Sequence, residues 1–188
     1  MNSLTVGIDI SKHHFHCVFM NAHGKVVKRK HYKRTQLLAG FRLQEDASLT
    51  IIIEACGSAS YWARELETLG HQVKLIPPQH VIAFRRKGKN DYNDAEAIAE
   101  AGQRANMTFA QIKTIEQQEM QSLIKIRHSL VRQQVQISNQ IRGHLAEFGL
   151  ILNQGHRAIK VTLTDYLEDA ENALPFRLRQ ALFQLKER

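Results

Sequence analysis

The chain has 188 residues, of which 43% are hydrophobic, and its 26 lysines and arginines outnumber 18 acids to give a net charge of +8. This length can bury one good core with a smaller appendage. The basic surplus favours a nucleic-acid partner. No segment approaches the roughly 20 apolar residues of a bilayer span, so a membrane protein is the poorer interpretation. Met1-Asn2-Ser3 does not begin a signal peptide, and Cys17 and Cys56 cannot build a disulfide framework, so we expect a cytoplasmic protein.

The first half of the chain alternates between strand and helix patterns. Strands are predicted over residues 4–9, 14–20, 25–34, 48–54 and 71–76. Helices are predicted over residues 35–43, 58–69, 79–86 and 91–104. Thr35 and Ser58 are the expected N-caps of the first two helices, and Gly70 is the expected C′ residue of the second. The resulting order, β-β-β-α-β-α-β-α, is that of the RNase H-like α/β fold with its mixed sheet, in which the first and fourth strands are neighbours.

The second half is dominated by a single helical pattern from Ile115 to Phe148. Apolar residues recur there at mostly three- and four-residue steps without proline, which predicts one helix of roughly 50 Å at 1.5 Å per residue. The stripe needs a partner, so we predict a homo-oligomer through Leu123, Leu130, Ile137 and Ile141. The expected domains are therefore residues 1–108, a coiled-coil helix over 109–150, and a helical segment over 151–188 in which Pro175 precedes a helix.

Four acidic residues stand where a metal-dependent nuclease needs them. Asp9 and Glu54 each follow an apolar strand, whereas Asp91 and Asp94 open a helix. Open α/β sheets bind ligands at the carboxyl ends of their strands, and carboxylate oxygens suit Mg²⁺, with Mn²⁺ as a substitute. The alternative is a helix cap at Asp91 with an acid three residues later, and a turn at Asp9. Glu54 favours the metal site, because burying it after three isoleucines is costly without a cation or donors.

Two basic clusters accompany these acids and predict contacts with a phosphodiester backbone. The first comprises Lys12, Lys28, Arg29, Lys30, Lys33 and Arg34, and the second comprises Arg85, Arg86, Lys87 and Lys89. The alternative interpretation of such a run is a solvated strand face. His14 and His16 would share one strand face, but nothing completes a closed zinc site, so we interpret the histidines as surface or packed residues.

Four segments together resemble the DEDD insertion-sequence transposases, the "one-ten" family that includes relatives of the pilin-gene invertase. They are Val6-Gly7-Ile8-Asp9-Ile10-Ser11-Lys12, Ile53-Glu54-Ala55-Cys56-Gly57, Lys89-Asn90-Asp91-Tyr92-Asn93-Asp94-Ala95, and Asn139-Gln140-Ile141-Arg142-Gly143 followed by Glu147-Phe148-Gly149. The resemblance implies a RuvC-like catalytic domain followed by a coiled coil, with the acidic tetrad at Asp9, Glu54, Asp91 and Asp94. It also implies Mg²⁺-dependent recombination of bacterial DNA, guided by a structured non-coding RNA, in a dimer or tetramer.

One departure from that family leaves other functions open. Family members continue into a C-terminal domain with a serine nucleophile, and this sequence ends at Arg188 without it, so we expect an N-terminal part that is incomplete for recombination. Ser58 and Ser60 are better interpreted as helix-start residues. The first rival is a stand-alone RNase H-like nuclease, such as a junction resolvase, with water as nucleophile. The second is a non-catalytic nucleic-acid-binding dimerisation fragment.

Overall fold

The computed structural model of the protein describes residues 4–42, 48–85 and 90–187. The chain forms two compact units, Met1–Glu116 and Gln117–Arg188, which divide within the first turn of the long helix. Domain boundaries at residues 108 and 150 remain a prediction. Among the described helices, none is both long and apolar enough to cross a membrane.

The first unit contains five strands and four α-helices in the described ranges; they follow the predicted order, with two helices after the fifth strand, as the predicted ranges 79–86 and 91–104 require. The strands are β1 (Thr5–Ile10), β2 (His14–Met20), β3 (Val26–Lys33), β4 (Thr50–Glu54) and β5 (Gln72–Ile76). The helices are α1 (Leu37–Arg42), α2 (Ala59–Glu67), α3 (Pro78–Val81) and α4 (Asp91–Gly102), with 3₁₀ turns before α1 (Arg34–Gln36) and after α3 (Ile82–Phe84). The sequence pattern therefore located each strand to within about two residues.

The five strands form one mixed sheet in the order β3-β2-β1-β4-β5. Strands β1, β2 and β3 are antiparallel, whereas β4 and β5 run parallel to β1. This arrangement confirms the RNase H-like fold and the expected neighbourhood of the first and fourth strands. Ile8 is paired with Ile53, so the next residue on each strand, Asp9 and Glu54, emerges at the same edge of the sheet.

The sheet separates two apolar layers, because alternate side chains of a strand point to opposite faces. Helices α1 and α2 cover one face, where Ile8, Phe15 and Cys17 are fully buried. Helix α4 covers the other face and buries Ile52 and Ile98. Cys17 is a free thiol buried in this core.

Helix α4 lies unusually close to β1, and Gly7 permits this approach. A Cβ atom added to Gly7 would lie 2.1 Å from the backbone oxygen of Ala95 and 2.9 Å from the Cβ of Ala99. No side chain can occupy that space without moving the helix. Asp9 stands two residues further along the same face of β1, beneath the first turn of α4. The glycine thus brings the start of the helix to the carboxyl end of the strand.

Two of the helix caps considered from the sequence, at Asp91 and Thr35, differ from the structure. The N-cap of α4 is Asn90, whose side-chain oxygen accepts a hydrogen bond from the Tyr92 N–H at 3.0 Å, so the alternative of a cap at Asp91 is wrong. Thr35 lies inside a 3₁₀ turn that begins at Arg34, and is not a cap; Leu43 lies outside the described residues. Ser58 is the N-cap of α2, but its side chain makes no capping hydrogen bond. Gly70 has φ +86°, as its role after a helix end requires.

The second unit contains the long helix α5 (Ile115–Ala146) from Gln117 onward, together with α6 (His156–Lys160), α7 (Thr162–Glu168) and α8 (Phe176–Lys186). Its core is formed by leucines of α7, α8 and the connecting loops against the C-terminal part of α5, where Ile141 and Leu145 are fully buried. The sequence pattern predicted α5 and α8, and a helical segment over residues 151–188, but it gave no bounds for α6 and α7. Helices of five and seven residues are too short to produce a periodic pattern.

Replacing Gly7 by alanine should destabilise the protein, because the new methyl group meets the backbone of α4. We expect a loss of about 1–3 kcal/mol in the free energy of unfolding, the usual effect of overpacking a tight interface. Urea denaturation followed by circular dichroism measures it. Gly57→Ala is the matched control, since a Cβ there would meet nothing within 4 Å. Equal effects of the two substitutions would contradict the role assigned to Gly7.

Candidate metal and nucleic-acid site

Three carboxylates form a cluster at the carboxyl end of β1. Asp9, Asp91 and Asp94 each offer one oxygen atom, and these oxygens all lie within 4.8 Å of one another. Asp9 comes from the strand, whereas the other two come from the first turn of α4. A helix N-terminus favours nearby negative charge, which lowers the cost of placing two acids there. The close contact of α4 with Gly7 makes the convergence possible.

Glu54 lies beside this cluster and is joined to it through the positively charged side chain of Arg85. The carboxylate of Glu54 accepts a hydrogen bond from Arg85 Nη2 at 2.9 Å. The same guanidinium places its Nε 3.2 Å from Asp94 Oδ1. Arg85 therefore bridges two of the four predicted tetrad residues. Its guanidinium, rather than direct contact between carboxylate oxygens, connects Glu54 with Asp94.

The electrostatics of the site are concentrated on Asp9. Partial burial raises the pKa of Asp9 from 3.8 to about 6, and the nearby charges of Asp94, Asp91 and Glu54 add to this rise while Arg85 opposes it. The elevated pKa means that the ionised form of Asp9 is disfavoured at neutral pH relative to an exposed aspartate. A bound cation would remove that penalty.

The donor set fits a hard divalent cation. The clustered atoms are carboxylate oxygens, the ligands that Mg²⁺ and Mn²⁺ prefer, whereas a zinc site would call for thiolate or imidazole ligands. Asp9 and Asp94 are half-buried and Asp91 is exposed, so the cluster is open on one side. A metal held there would keep positions for water and for a phosphate oxygen.

Two aromatic residues border the cluster, and the sequence pattern did not assign either of them to it. His16 is paired with Asp9 across the antiparallel strands, and its Nδ1 lies 3.6 Å from Asp91 Oδ2. The Tyr92 ring meets His16 edge to face at 4.8 Å between centroids. The strand alternation that put Asp9 at the site also put His16 there. That alternation, combined with a register, is the signal that could have found it.

The basic residues of β3 do not form one surface. Lys28 and Lys30 lie on the face covered by α1 and α2, over the rings of Phe19 and Tyr32 at 5.8 and 5.5 Å. Arg29 points to the opposite face and pairs with Glu96 of α4 at 2.8 Å. The structure therefore separates three residues that were predicted from the sequence to form one backbone-binding run.

The strand register shows which basic residues lie at the same end of the sheet as Asp9. Lys33 is paired with His14, at the start of β2, and Lys12 lies in the turn between β1 and β2. Both side chains are exposed. Arg34 follows Lys33 and stacks over Trp62 at 4.9 Å. Arg85 completes this set, whereas Arg86, Lys87 and Lys89 lie outside the described residues.

Residues 6–149 match the IS110-type DEDD transposases, a family described as transposase. The chain belongs to this transposase family. The "Probable family 20 transposase" of Pseudomonas aeruginosa is 40% identical over 188 residues, which cover 100% of this chain and 55% of that protein. The transposase for insertion sequence element IS1111A of Coxiella burnetii is 39% identical over 180 residues, covering 94% and 48% respectively. The chain spans about half the length of the curated relatives it matches.

Two solved structures of RuvC from Thermus thermophilus are also similar to the chain. The complex with a Holliday junction substrate is 12% identical with a TM-score of 0.43, covering 57% of this chain and 99% of that one. The second RuvC structure is 10% identical with a TM-score of 0.44 over the same shares.

Removing the Asp9 carboxylate should stabilise the protein in the absence of divalent cations. The pKa of the Asp9 carboxyl is about 6 in the folded protein and 3.8 in the unfolded chain. The protonated side chain therefore favours the folded state: this stability is fully present below pH 4 and is lost as the pH rises through 6. Asp9→Asn should abolish that loss and raise Tm at pH 7.5 by about 2–5 °C.

Thermal denaturation in chelator across pH 4–8 measures this effect. Glu171→Gln, at an exposed acid in the second unit, is the control for net charge. A lower Tm for Asp9→Asn at pH 7.5, with the control unchanged, would mean that the Asp9 carboxylate is not under repulsion.

Proposed function

We propose that the chain is the N-terminal catalytic part of an insertion-sequence DNA transposase, which cleaves and exchanges DNA strands with Mg²⁺ and is guided by a structured non-coding RNA. The observation that carries this proposal is the convergence of Asp9, Asp91 and Asp94 in a member of a transposase family. The relatives are named as transposases of insertion sequences. The guide RNA is proposed on the family resemblance, and the net charge of +8 is compatible with it.

The side chains of the first unit divide into two roles. Asp9, Asp91 and Asp94 would hold one or two metal ions, and Glu54 would complete the set once it separates from Arg85. Mg²⁺, when bound by these residues, would polarise a phosphate and would stabilise the attacking and leaving oxygens of a displacement at phosphorus. Lys12 and Lys33, exposed at the same end of the sheet, would hold the nucleic-acid backbone beside the cluster.

The long helix α5 is proposed as the oligomer interface, as a coiled coil in a dimer or tetramer. Leu123 and Leu130 are 53% and 59% exposed and lie seven residues apart on one face. The other two predicted interface residues are occupied within the second unit: Ile141 is fully buried in its core, and Ile137 packs against that core. The interface that we propose therefore lies in the N-terminal part of α5, at Leu123 and Leu130.

The second candidate function is a stand-alone nuclease, such as a junction resolvase, with water as nucleophile. The observation favouring it is that all three clustered carboxylates belong to one compact unit, Met1–Glu116. Such a site needs no further protein segment to hold a metal. A non-catalytic nucleic-acid-binding fragment, the remaining alternative, would bind DNA without any dependence on these carboxylates.

Metal binding and DNA chemistry of the chain separate these functions. We expect Mn²⁺ to raise the Tm of the wild-type chain and to have no effect on Asp94→Asn, because the variant loses one of three ligands. We also expect DNA binding to weaken as the salt concentration rises. Thermal denaturation and electrophoresis of labelled DNA measure these outcomes.

Two results would count against the transposase proposal. Metal-dependent hydrolysis of DNA by the chain alone, abolished in Asp94→Asn, would favour the nuclease. Equal Tm values with and without Mn²⁺, together with unchanged DNA binding by Asp94→Asn, would favour the non-catalytic fragment.

Charge introduced into the exposed stripe of α5 should dissociate the oligomer. Leu123→Asp with Leu130→Asp would place unpaired carboxylates in an apolar contact, which is expensive. We expect the mass measured by light scattering to fall to that of a monomer. Gln136→Asp is the control, because Gln136 is exposed on a different face of the same helix. A monomeric wild-type chain at high concentration would contradict the proposed interface.

A further inference from the structure

Arg85 makes a contact pattern that differs from an ordinary surface ion pair. Its Nη2 lies 2.9 Å from Glu54 Oε2 and its Nε lies 3.2 Å from Asp94 Oδ1, so different nitrogens serve different carboxylates. The two acids come from separate elements, β4 and α4. One guanidinium thus connects the end of a strand with the start of a helix across the acidic cluster.

Arg85 is also the principal counter-charge of the site. Among the described residues, Arg85 alone of the lysines and arginines has a nitrogen within 4.0 Å of a carboxylate oxygen of the predicted tetrad. Arg85 contacts one oxygen of each carboxylate, Oε2 of Glu54 and Oδ1 of Asp94, so a divalent cation bound by either residue would lie close to the guanidinium. The two positive charges repel each other at that separation, so each weakens the binding of the other.

We propose that Arg85 is an internal latch that competes with the divalent cation for Glu54 and Asp94, and that nucleic acid opens it. The inference rests on the metal site proposed above. When phosphate approaches, the guanidinium leaves the carboxylates and pairs with a phosphate oxygen instead. The carboxylates so released are then available to the metal. Metal and nucleic acid consequently bind cooperatively although they touch different residues.

The setting of Arg85 suits such an exchange. Its side chain is 41% exposed, so the two ion pairs are weak enough to break. The residue ends the 3₁₀ turn Ile82–Phe84 in extended backbone, outside any regular element. A guanidinium presents a planar fork of donors that fits a phosphate as well as a carboxylate, which a lysine ammonium does not. The same group therefore serves both partners without any change in its own charge.

Linkage makes the inference quantitative. If nucleic acid removes Arg85 from the metal ligands, then metal must strengthen nucleic-acid binding by the same factor by which nucleic acid strengthens metal binding. A substitution that removes the latch should therefore tighten metal binding and at the same time reduce the coupling. A purely structural role for Arg85 predicts the opposite sign for metal binding, because the carboxylates would lose their arrangement.

The test compares the wild-type chain with Arg85→Gln and Arg85→Lys. Calorimetric titration with Mn²⁺ gives metal affinity without DNA, and fluorescence anisotropy of a labelled duplex gives DNA affinity with and without Mn²⁺. We expect Arg85→Gln to bind Mn²⁺ about three- to tenfold more tightly, the scale of losing partly exposed ion pairs. Mn²⁺ should tighten DNA binding of the wild-type chain, and of Arg85→Gln by a smaller factor.

Two variants separate the bridging geometry of Arg85 from its charge. Arg85→Lys keeps the charge but cannot bridge two carboxylates with a planar fork of donors. We therefore expect it to bind Mn²⁺ more tightly than the wild type, though less tightly than Arg85→Gln does. Circular dichroism verifies that both variants fold. Arg177→Gln, at an exposed arginine of α8, makes the same change in net charge as Arg85→Gln and should resemble the wild type.

Weaker or unchanged Mn²⁺ binding in both Arg85 variants, with a wild-type chain that binds Mn²⁺, would overturn the latch and leave the proposed metal site standing. Absence of Mn²⁺ binding in the wild-type chain and both variants would overturn the metal site and the latch together. Equal tightening in Arg177→Gln would show a general charge effect and would also overturn the latch.

Discussion

The close approach of α4 to β1 is the constraint on which the site depends. Gly7 leaves room for the helix backbone, with the Ala95 oxygen 2.1 Å from where a Cβ would stand. This contact brings the first turn of α4 to the end of β1 and gathers Asp9, Asp91 and Asp94. The fold therefore uses tight apolar packing to hold together groups that repel one another. Packing energy from the two core layers offsets that repulsion.

The repulsion among the clustered carboxylates is also reduced by positive charge within the site. The start of α4 carries the positive end of the helix dipole, which favours Asp91 and Asp94, and Arg85 contributes a full positive charge to Glu54 and Asp94. Neither removes the penalty on Asp9, whose pKa remains about 6. This penalty lowers the stability of the fold, and a cation bound at the proposed metal site would offset it. Because the carboxylates repel one another, a strand and a helix hold them at short separation better than flexible loops would.

Much of the fold followed from the sequence, because buried strands and a long amphipathic helix leave strong patterns. The order of the elements along the chain predicted that β1 and β4 are neighbouring strands, and they pair in parallel. Features that depend on tertiary position could not be predicted from the sequence. Asn90 rather than Asp91 caps α4, since cap choice depends on where the chain turns. Lys28 and Arg29 face opposite sides of the sheet, and Ile141 is buried in its own unit, although each fits its linear pattern. The bridge made by Arg85 has no signature in the sequence at all.

Anomalous diffraction from crystals grown with Mn²⁺ tests the central claim most directly, because the scattering locates the ion without reference to activity. We predict a peak between the carboxylates of Asp9, Asp91 and Asp94, with oxygen ligands at about 2.0–2.2 Å. The peak should be absent in crystals of Asp9→Asn grown in the same way. Ordered side chains at these three positions with no anomalous peak between them, at a saturating Mn²⁺ concentration, would contradict the metal site.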